Sequence, residues 1–530
     1  MRRVMVISSA AVAACTTSPT TRTPVAPAGA VFTPAPTDQV IGGRAEVVTA
    51  TAIARLLDTD LKLHSVIAID PTAMSRAKAF DASRGTRGLV AGQPILIKDN
   101  IEVAGPLPTT AGSLALANNV TNRDAPLVAR LRAAGAIILG KTNLSEWANI
   151  RSNKSISGWS AAGGQTHNPW ALDRNPCGSS SGSGAAVAAG IVRLAIGTET
   201  DGSITCPAAV NGIVGLKTTV GLVSRTHIVP ISHSQDTAGP MAASVRDAAE
   251  LLSVIAGSDP ADPATAEADA HKADYAALLD ANSLKGQRVG VMRFASGFRT
   301  DAAFETALAI LRQGGATLVE IRKIDGYDDD EIGAQEQTVL LTELKVDLAK
   351  YLQSSPAQVP VRSLADVIAF NSAHQQDEMA LFGQETFEQA EKTKGLDDPT
   401  YLKARHDSFL ASGPNGIDKL LKQYDVVALV GPTMPPAWKI DAVNGDQSSG
   451  GGAGSLAAVA GYPHLTVPMG LVKGLPVGLS FIGPKWSEAL LLSLGYAYEQ
   501  ARGPFPEPKF YHSIEEGDPQ VAPHLEPVRR

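Results

Sequence analysis

Nine consecutive residues, Pro176-Cys177-Gly178-Ser179-Ser180-Ser181-Gly182-Ser183-Gly184, carry four hydroxyls and three glycines. A flexible linker has this composition too, but an Ala/Val-rich helix follows directly and buried-looking strands flank the region. Hydroxyls and backbone N–H groups gathered inside a sheet can converge on one reacting atom, as nucleophilic acyl transfer requires. Two short patterns compete for the nucleophile. Gly178–Gly182 matches a G-x-S-x-G elbow centred on Ser180, yet that turn needs a strand immediately before it. Residues 165–177 are instead rich in Asn, Pro, Asp and Arg. Ser75 and Lys78 match S-x-x-K, but the companion S-D-N and K-T-G elements are missing and Ser75 falls in an amphipathic helix. Neither pattern fits its context.

Metal chemistry is not indicated. The cysteines are Cys15, Cys177 and Cys206, with no C-x-x-C pair and no H-E-x-x-H. Three cysteines make no disulfide framework; Cys177 and Cys206 could approach each other and oxidise after export, but read more readily as small buried thiols. A formal charge of −7 argues against a broad nucleic-acid surface, which needs a basic face.

These residues need a scaffold, and the hydrophobic pattern supplies one. Helices are predicted at Ala45–Leu57, Pro71–Phe80, Asp124–Ala134, Gly184–Gly190, Val245–Ala256 and Glu488–Ala501. Short apolar runs read as buried strands at 93–98, Ala136–Gly140, Val192–Gly197, Arg288–Met292, Val426–Val430 and Leu465–Pro468. The alternation predicts an α/β fold, a mixed twisted sheet covered by helices on both faces. Residues 325–421 are richer in charge and Gln, contain no strong strand and read as a helical insertion.

Longer motifs span the chain: Gly92–Ile101, Thr109–Ser113, Gly140–Asn143, Gly178–Gly184, Gly197–Ile204, Gly215–Lys217, Asp236–Met241, Ala460–Pro463 and Gly474–Gly478. In this order they resemble the amidase signature family over about residues 45–505, and Asn175–Pro207 is most similar to bacterial peptide amidases. The resemblance implies the amidase-signature fold and hydrolysis of a carboxylic amide through a Ser–cis-Ser–Lys triad, with neither metal nor cofactor. Lys98 matches the family's base, Ser179 its cis serine and Ser203 its nucleophile, twenty-four positions after Ser179. The cis peptide would fall at Gly178–Ser179, and the backbone N–H groups of Thr200, Asp201, Gly202 and Ser203 match the oxyanion loop. The chemistry is coherent. A serine hydroxyl needs a base, and a lysine is a base only when neutral, which burial at a strand end favours. Asp99 follows Lys98 directly, but neighbouring strand residues point to opposite faces.

Asp201 departs from the family, which commonly has glycine there; it binds a substrate donor or faces solvent, and both readings stay open. Ser180 and Asp201 are the substrate-facing candidates, while His233 and Trp147 read as packing residues. The resemblance equally covers the catalytic component of a tRNA-dependent amidotransferase, and a non-catalytic envelope binding protein on the same scaffold is a further alternative. The export signal and the peptide-amidase-like loop at 175–207 disfavour the amidotransferase, and the intact Lys98, Ser179 and Ser203 disfavour the binding protein.

The amino terminus reads as an address. Arg2-Arg3, an apolar stretch from Val4 to Ala14, and Cys15 describe an export signal. Val12-Ala13-Ala14-Cys15 resembles a bacterial lipobox, so membrane attachment through a lipidated Cys15 is expected. Residues 16–36 read as a Pro/Thr-rich tether, 37–515 as the catalytic domain and 516–530 as a polar tail.

Overall fold

The computed structural model describes residues 44–83 and 88–517; the signal, tether and all but the start of the tail lie outside them. Eleven strands form one sheet: β1 (Val66–Ile69), β2 (Pro94–Lys98), β3 (Ile137–Thr142), β6 (Leu194–Glu199), β7 (Val214–Lys217), β8 (Thr237–Ala242), β9 (Arg288–Met292), β10 (Thr317–Ile321), β11 (Ala428–Pro432), β12 (His464–Val472) and β13 (Leu475–Ile482). β4 (Trp159–Ser160) and β5 (Gly164–Gln165) make a separate small hairpin. The sheet order is β1-β3-β2-β6-β8-β7-β12-β13-β11-β9-β10. β2 runs parallel to β3 and β6, β9 parallel to β10 and β11, and the remaining neighbours are antiparallel. This is the expected mixed sheet. β2, β3 and β6 are buried along their whole length, because helices cover both faces.

Register places the site. Ile97 of β2 lies opposite Ile196 of β6, so the carboxyl ends of two adjacent parallel strands finish side by side, where Lys98 and Thr198 meet. Ligands of such sheets gather at carboxyl ends. β8 escaped the sequence reading because Gly239 and Pro240 are poor strand formers. Gly239 is there for contact, since a Cβ would come within 2.1 Å of the Leu216 carbonyl oxygen on β7. β7, β10 and β13 were not predicted as strands either. β12 and β13 are joined by Lys473 and Gly474, both at positive φ (51° and 80°), the backbone of a two-residue hairpin turn.

Between β10 and β11 the chain is helical, as expected. Helices Asp329–Ser354, Leu364–Ala373 and Pro399–Ser412 begin at Asp328, Ser363 and Asp398, whose side chains accept first-turn N–H groups. Leu344, Leu348, Leu352, Val367 and Phe387 of this segment pack with Ala111, Leu116 and Trp147, fastening the cap beside β2. Among the described helices none is long and apolar enough to cross a membrane.

Candidate active site

Lys98 ends β2 with no solvent exposure. Its ammonium nitrogen donates to Ser179 Oγ at 2.7 Å, to Thr198 Oγ1 at 2.8 Å and to the Thr198 carbonyl oxygen at 3.3 Å. Burial lowers its pKa from 10.5 to about 7, against the upward pull of Asp236 and then Glu199. Asp99 turns to the opposite side, where its carboxylate pairs with Lys141 Nζ at 2.8 Å and accepts from Thr110. Lys98 thus keeps hydroxyl partners and no direct carboxylate.

Ser179 follows a cis peptide at Gly178. Gly178 is required by space, because a Cβ would lie 2.0 Å from Ser145 Oγ. Ser145 N donates to the Ser179 carbonyl oxygen at 3.1 Å, fixing the loop above β2. Cys177 N donates to Asn175 Oδ1 at 2.8 Å, holding Cys177 in the left-handed region (φ 56°).

Ser180 is not a substrate contact. It is fully buried, its hydroxyl donates to the Thr198 carbonyl oxygen at 3.0 Å and accepts from Thr198 N at 3.2 Å. The reason is local: it sits at the start of helix Ser181–Ala188, which turns its side chain onto β6. Ser181 and Ser183 also look inward, to the Cys177 and Ile196 carbonyl oxygens.

Ser203 lies in the turn after β6. Ser180 N donates to its carbonyl oxygen at 3.1 Å; no hydrogen bond among the described residues joins the Ser203 and Ser179 hydroxyls. Gly202 (φ 79°) makes the turn. Buried Glu199 anchors the chain beyond it, accepting from Ile204 N at 2.7 Å and Thr205 N at 2.8 Å, at the start of helix Thr205–Asn211. The N–H groups of Asp201, Gly202 and Ser203 donate to no acceptor among the described residues, which leaves them free for an oxyanion. Thr200 contributes structure: its hydroxyl donates to Asp236 Oδ1 at 2.6 Å, while Asp236 Oδ2 accepts from Ile231 N and Ser232 N.

Asp201 is half-buried. Burial, then Glu199, raises its pKa to about 6, and Asp236 is raised to about 6 by burial. Glu336 of the cap is raised to about 8 by burial and then by Asp201. Burial thus raises all three acids, and Asp236 keeps both oxygens as acceptors for Thr200, Ile231 and Ser232.

Cys177 and Cys206 correct the reading as thiols: they form a disulfide with Cα atoms 6.0 Å apart. Sequence shows two separated cysteines, and only the fold brings the loop and the helix together. His233 pairs with Asp347 at 2.8 Å and with Glu343 at 3.3 Å. Ligand atoms of these three residues lie within 4.8 Å of one another, but Glu343 also accepts from Ser232, Ser234 and Tyr401, the bonding of an ion-pair network. Trp147 packs in the core against Phe387, ring centroids 5.9 Å apart. Thr198, Asn100, Glu199 and Asp236 were not singled out from sequence. Asn100 stands in the turn that closes after β2, where Ile101 N donates to the Lys98 carbonyl oxygen at 3.0 Å, and its amide donates to Thr198 Oγ1 at 3.0 Å.

Comparison with known proteins gives the family. The family model described as Amidase matches residues 47–492. A probable amidase of Arabidopsis thaliana is 39% identical over 463 residues, covering 84% of this chain and 85% of that protein. The native peptide amidase of Stenotrophomonas maltophilia superposes with TM-score 0.84 at 49% identity, covering 89% of this chain and 96% of that one. A glutamyl-tRNA(Gln) amidotransferase chain of Roseiflexus castenholzii is 36% identical over 487 residues, covering 86% of this chain and 91% of that one. The chain therefore belongs to the amidase family, and it is a hydrolase of amide C–N bonds.

Proposed function

We propose that the protein hydrolyses the terminal amide of peptide amides through Ser203, Ser179 and Lys98. Neutral Lys98 takes a proton from Ser179 as Ser179 takes one from Ser203, and Ser203 Oγ attacks the amide carbonyl. The N–H groups around Gly202 hold the oxyanion, Lys98 returns its proton through Ser179 to the leaving nitrogen, and ammonia departs. Water then cleaves the ester by the same relay. The observation that carries this reading is a fully buried lysine 2.7 Å from the Ser179 hydroxyl, where desolvation favours the neutral amine. The peptide preference rests on the likeness to the Stenotrophomonas peptide amidase.

The test is ammonia release from three amide classes: a C-terminally amidated dipeptide, a small aliphatic amide and an aryl amide. Peptide amides are expected to give the highest kcat/KM, with turnover lost in Ser203→Ala and retained in Ser180→Ala. Turnover by Ser203→Ala would overturn the triad; an aliphatic preference would overturn the substrate class alone.

Export and anchoring through Cys15 belong to the same proposal. A disulfide suits an oxidising compartment, which supports it. Radiolabelled fatty acid should enter the wild-type protein and not Cys15→Ala; equal labelling would reject the anchor.

A further inference from the structure

We infer that the Cys177–Cys206 disulfide is a positioning element of the active site, and that the enzyme is fully active only in its oxidised form; this rests on the triad proposed above. Cys177 stands two residues before the proton-relay serine, Ser179. Cys206 lies in helix Thr205–Asn211, three residues after Ser203. The bond therefore joins the two chain segments that must bring Ser179 and Ser203 to one carbonyl carbon.

Other ties between these segments hold the Ser179 hydroxyl, through Lys98, and the Ser180 hydroxyl, on Thr198, but none holds the Ser203 hydroxyl. Ser180 N donates to the Ser203 carbonyl oxygen at 3.1 Å, and Asn211 Nδ2 donates to the Pro176 carbonyl oxygen at 2.9 Å. The Ser203 hydroxyl itself is bonded to neither Ser179 nor Lys98, so its approach to the relay depends on how its turn is held. Cys177 is also in the left-handed region, a conformation that a β-carbon-bearing residue adopts only when its surroundings insist. Two features insist. One is the disulfide. The other is a polar chain in which Cys177 N donates to Asn175 Oδ1, and Asn175 Nδ2 and Trp438 Nε1 donate to Asp446 Oδ1.

Both cysteines are almost fully buried, packed with Val210, Ala437 and Trp438. A reduced pair keeps the apolar surroundings but loses the covalent link, so the fold survives while the serines gain freedom. Misplacement of reacting groups by about 1 Å is enough to cost about 100-fold in rate. The effect falls on kcat. The change bears on the approach of Ser203 to the relay and on no residue assigned to substrate recognition, so KM changes little.

Reduction by dithiothreitol is balanced. One reductant thiolate attacks a protein sulfur and its second thiol resolves the mixed disulfide. Two electrons and two protons pass to the protein, giving two cysteine thiols and cyclic oxidised dithiothreitol.

The experiment takes the full-length enzyme, reduces it for graded times, counts thiols at each time and measures kcat and KM. A parallel Cys177→Ala/Cys206→Ala double variant carries the same assay. Peptide mapping under non-reducing conditions should first recover the Cys177 and Cys206 peptides as one linked species. Expected is a fall in kcat of about 10- to 100-fold in step with the appearance of two new thiols, KM within about threefold, and recovery on reoxidation. The double variant should match the reduced enzyme and ignore reductant. Unlinked peptides, or reduced enzyme that retains kcat within about twofold, would overturn the inference. Should the double variant fail to fold, reduced wild type assayed below its melting temperature still decides. Ser203→Ala separates the two levels: its loss of activity upholds the triad whatever reduction does.

Discussion

Replacing Lys98 by Met should abolish turnover while making the protein more stable, and the gain should depend on pH. Burial lowers the Lys98 pKa from 10.5 to about 7, so folding disfavours the charged amine by about 5 kcal/mol. The sign follows from linkage. Above about pH 10.5 the amine is neutral in both folded and unfolded chains and there is no penalty. As pH falls the unfolded chain takes up the proton first, and the penalty grows until about pH 7, below which both states are charged and it is constant. Between about pH 9 and about pH 7 the wild type loses about 2 kcal/mol on this account, and Lys98→Met loses none of it. Removing the amine also strands Ser179 Oγ, while Thr198 Oγ1 keeps the Asn100 amide, a cost of about 1–3 kcal/mol that does not vary with pH. The decisive quantity is the difference between two differences. Urea unfolding of both proteins at the two pH values should show the advantage of Lys98→Met growing by about 2 kcal/mol towards pH 7. A constant difference, or one that shrinks, would mean that Lys98 is charged in the folded enzyme, and the base assignment would fall with it.

Other substitutions probe the scaffold. Glu146 and Arg151 form a fully buried pair, Nε to Oε1 2.8 Å; Glu146→Leu strands the guanidinium and should cost about 3–5 kcal/mol, read as a lower urea midpoint. Gly182→Ala places a Cβ 2.1 Å from the Ser65 carbonyl oxygen, so soluble yield and melting temperature should drop sharply, whereas Gly333→Ala, inside helix Asp329–Ser354 with open space around it, should keep the yield and slightly raise the melting temperature. His233 is raised above its usual pKa first by its hydrogen bond to Asp347. A raised folded pKa stabilises below the unfolded value of 6.5 and fades as pH rises through the folded one. Its ring faces Asp347, Glu343 and Arg405 and is partly exposed, so His233→Ala should lower the melting temperature slightly at about pH 5.5 and scarcely at about pH 9, an effect under about 1 kcal/mol.

Much of the sheet was legible because β2, β3, β6 and β9 are continuous apolar runs, and such runs mark strands buried on both faces. β7 and β8 were not, because their Gly215 and Gly239 serve close backbone packing rather than hydrophobic periodicity. Lys98, Ser179 and Ser203 were all assigned through the resemblance, and the end of a buried apolar run added a physical reason for Lys98 alone. Ser180 misled because four clustered serines look alike in sequence, and the start of helix Ser181–Ala188 decides which of them face β6. The disulfide could not be read from two cysteines separated by 29 positions; it depends on the loop before one helix meeting the first turn of another.

If a neutral lysine activates Ser203 through Ser179, inactivation by a fluorophosphonate must follow the titration of Lys98. The rate of covalent labelling, followed across pH with the adduct mapped by mass spectrometry, should rise to a plateau with a midpoint of about 7. The adduct should sit on Ser203, and the rise should vanish in Lys98→Met. A midpoint near that of an ordinary lysine, or an adduct on any other serine, would contradict the account.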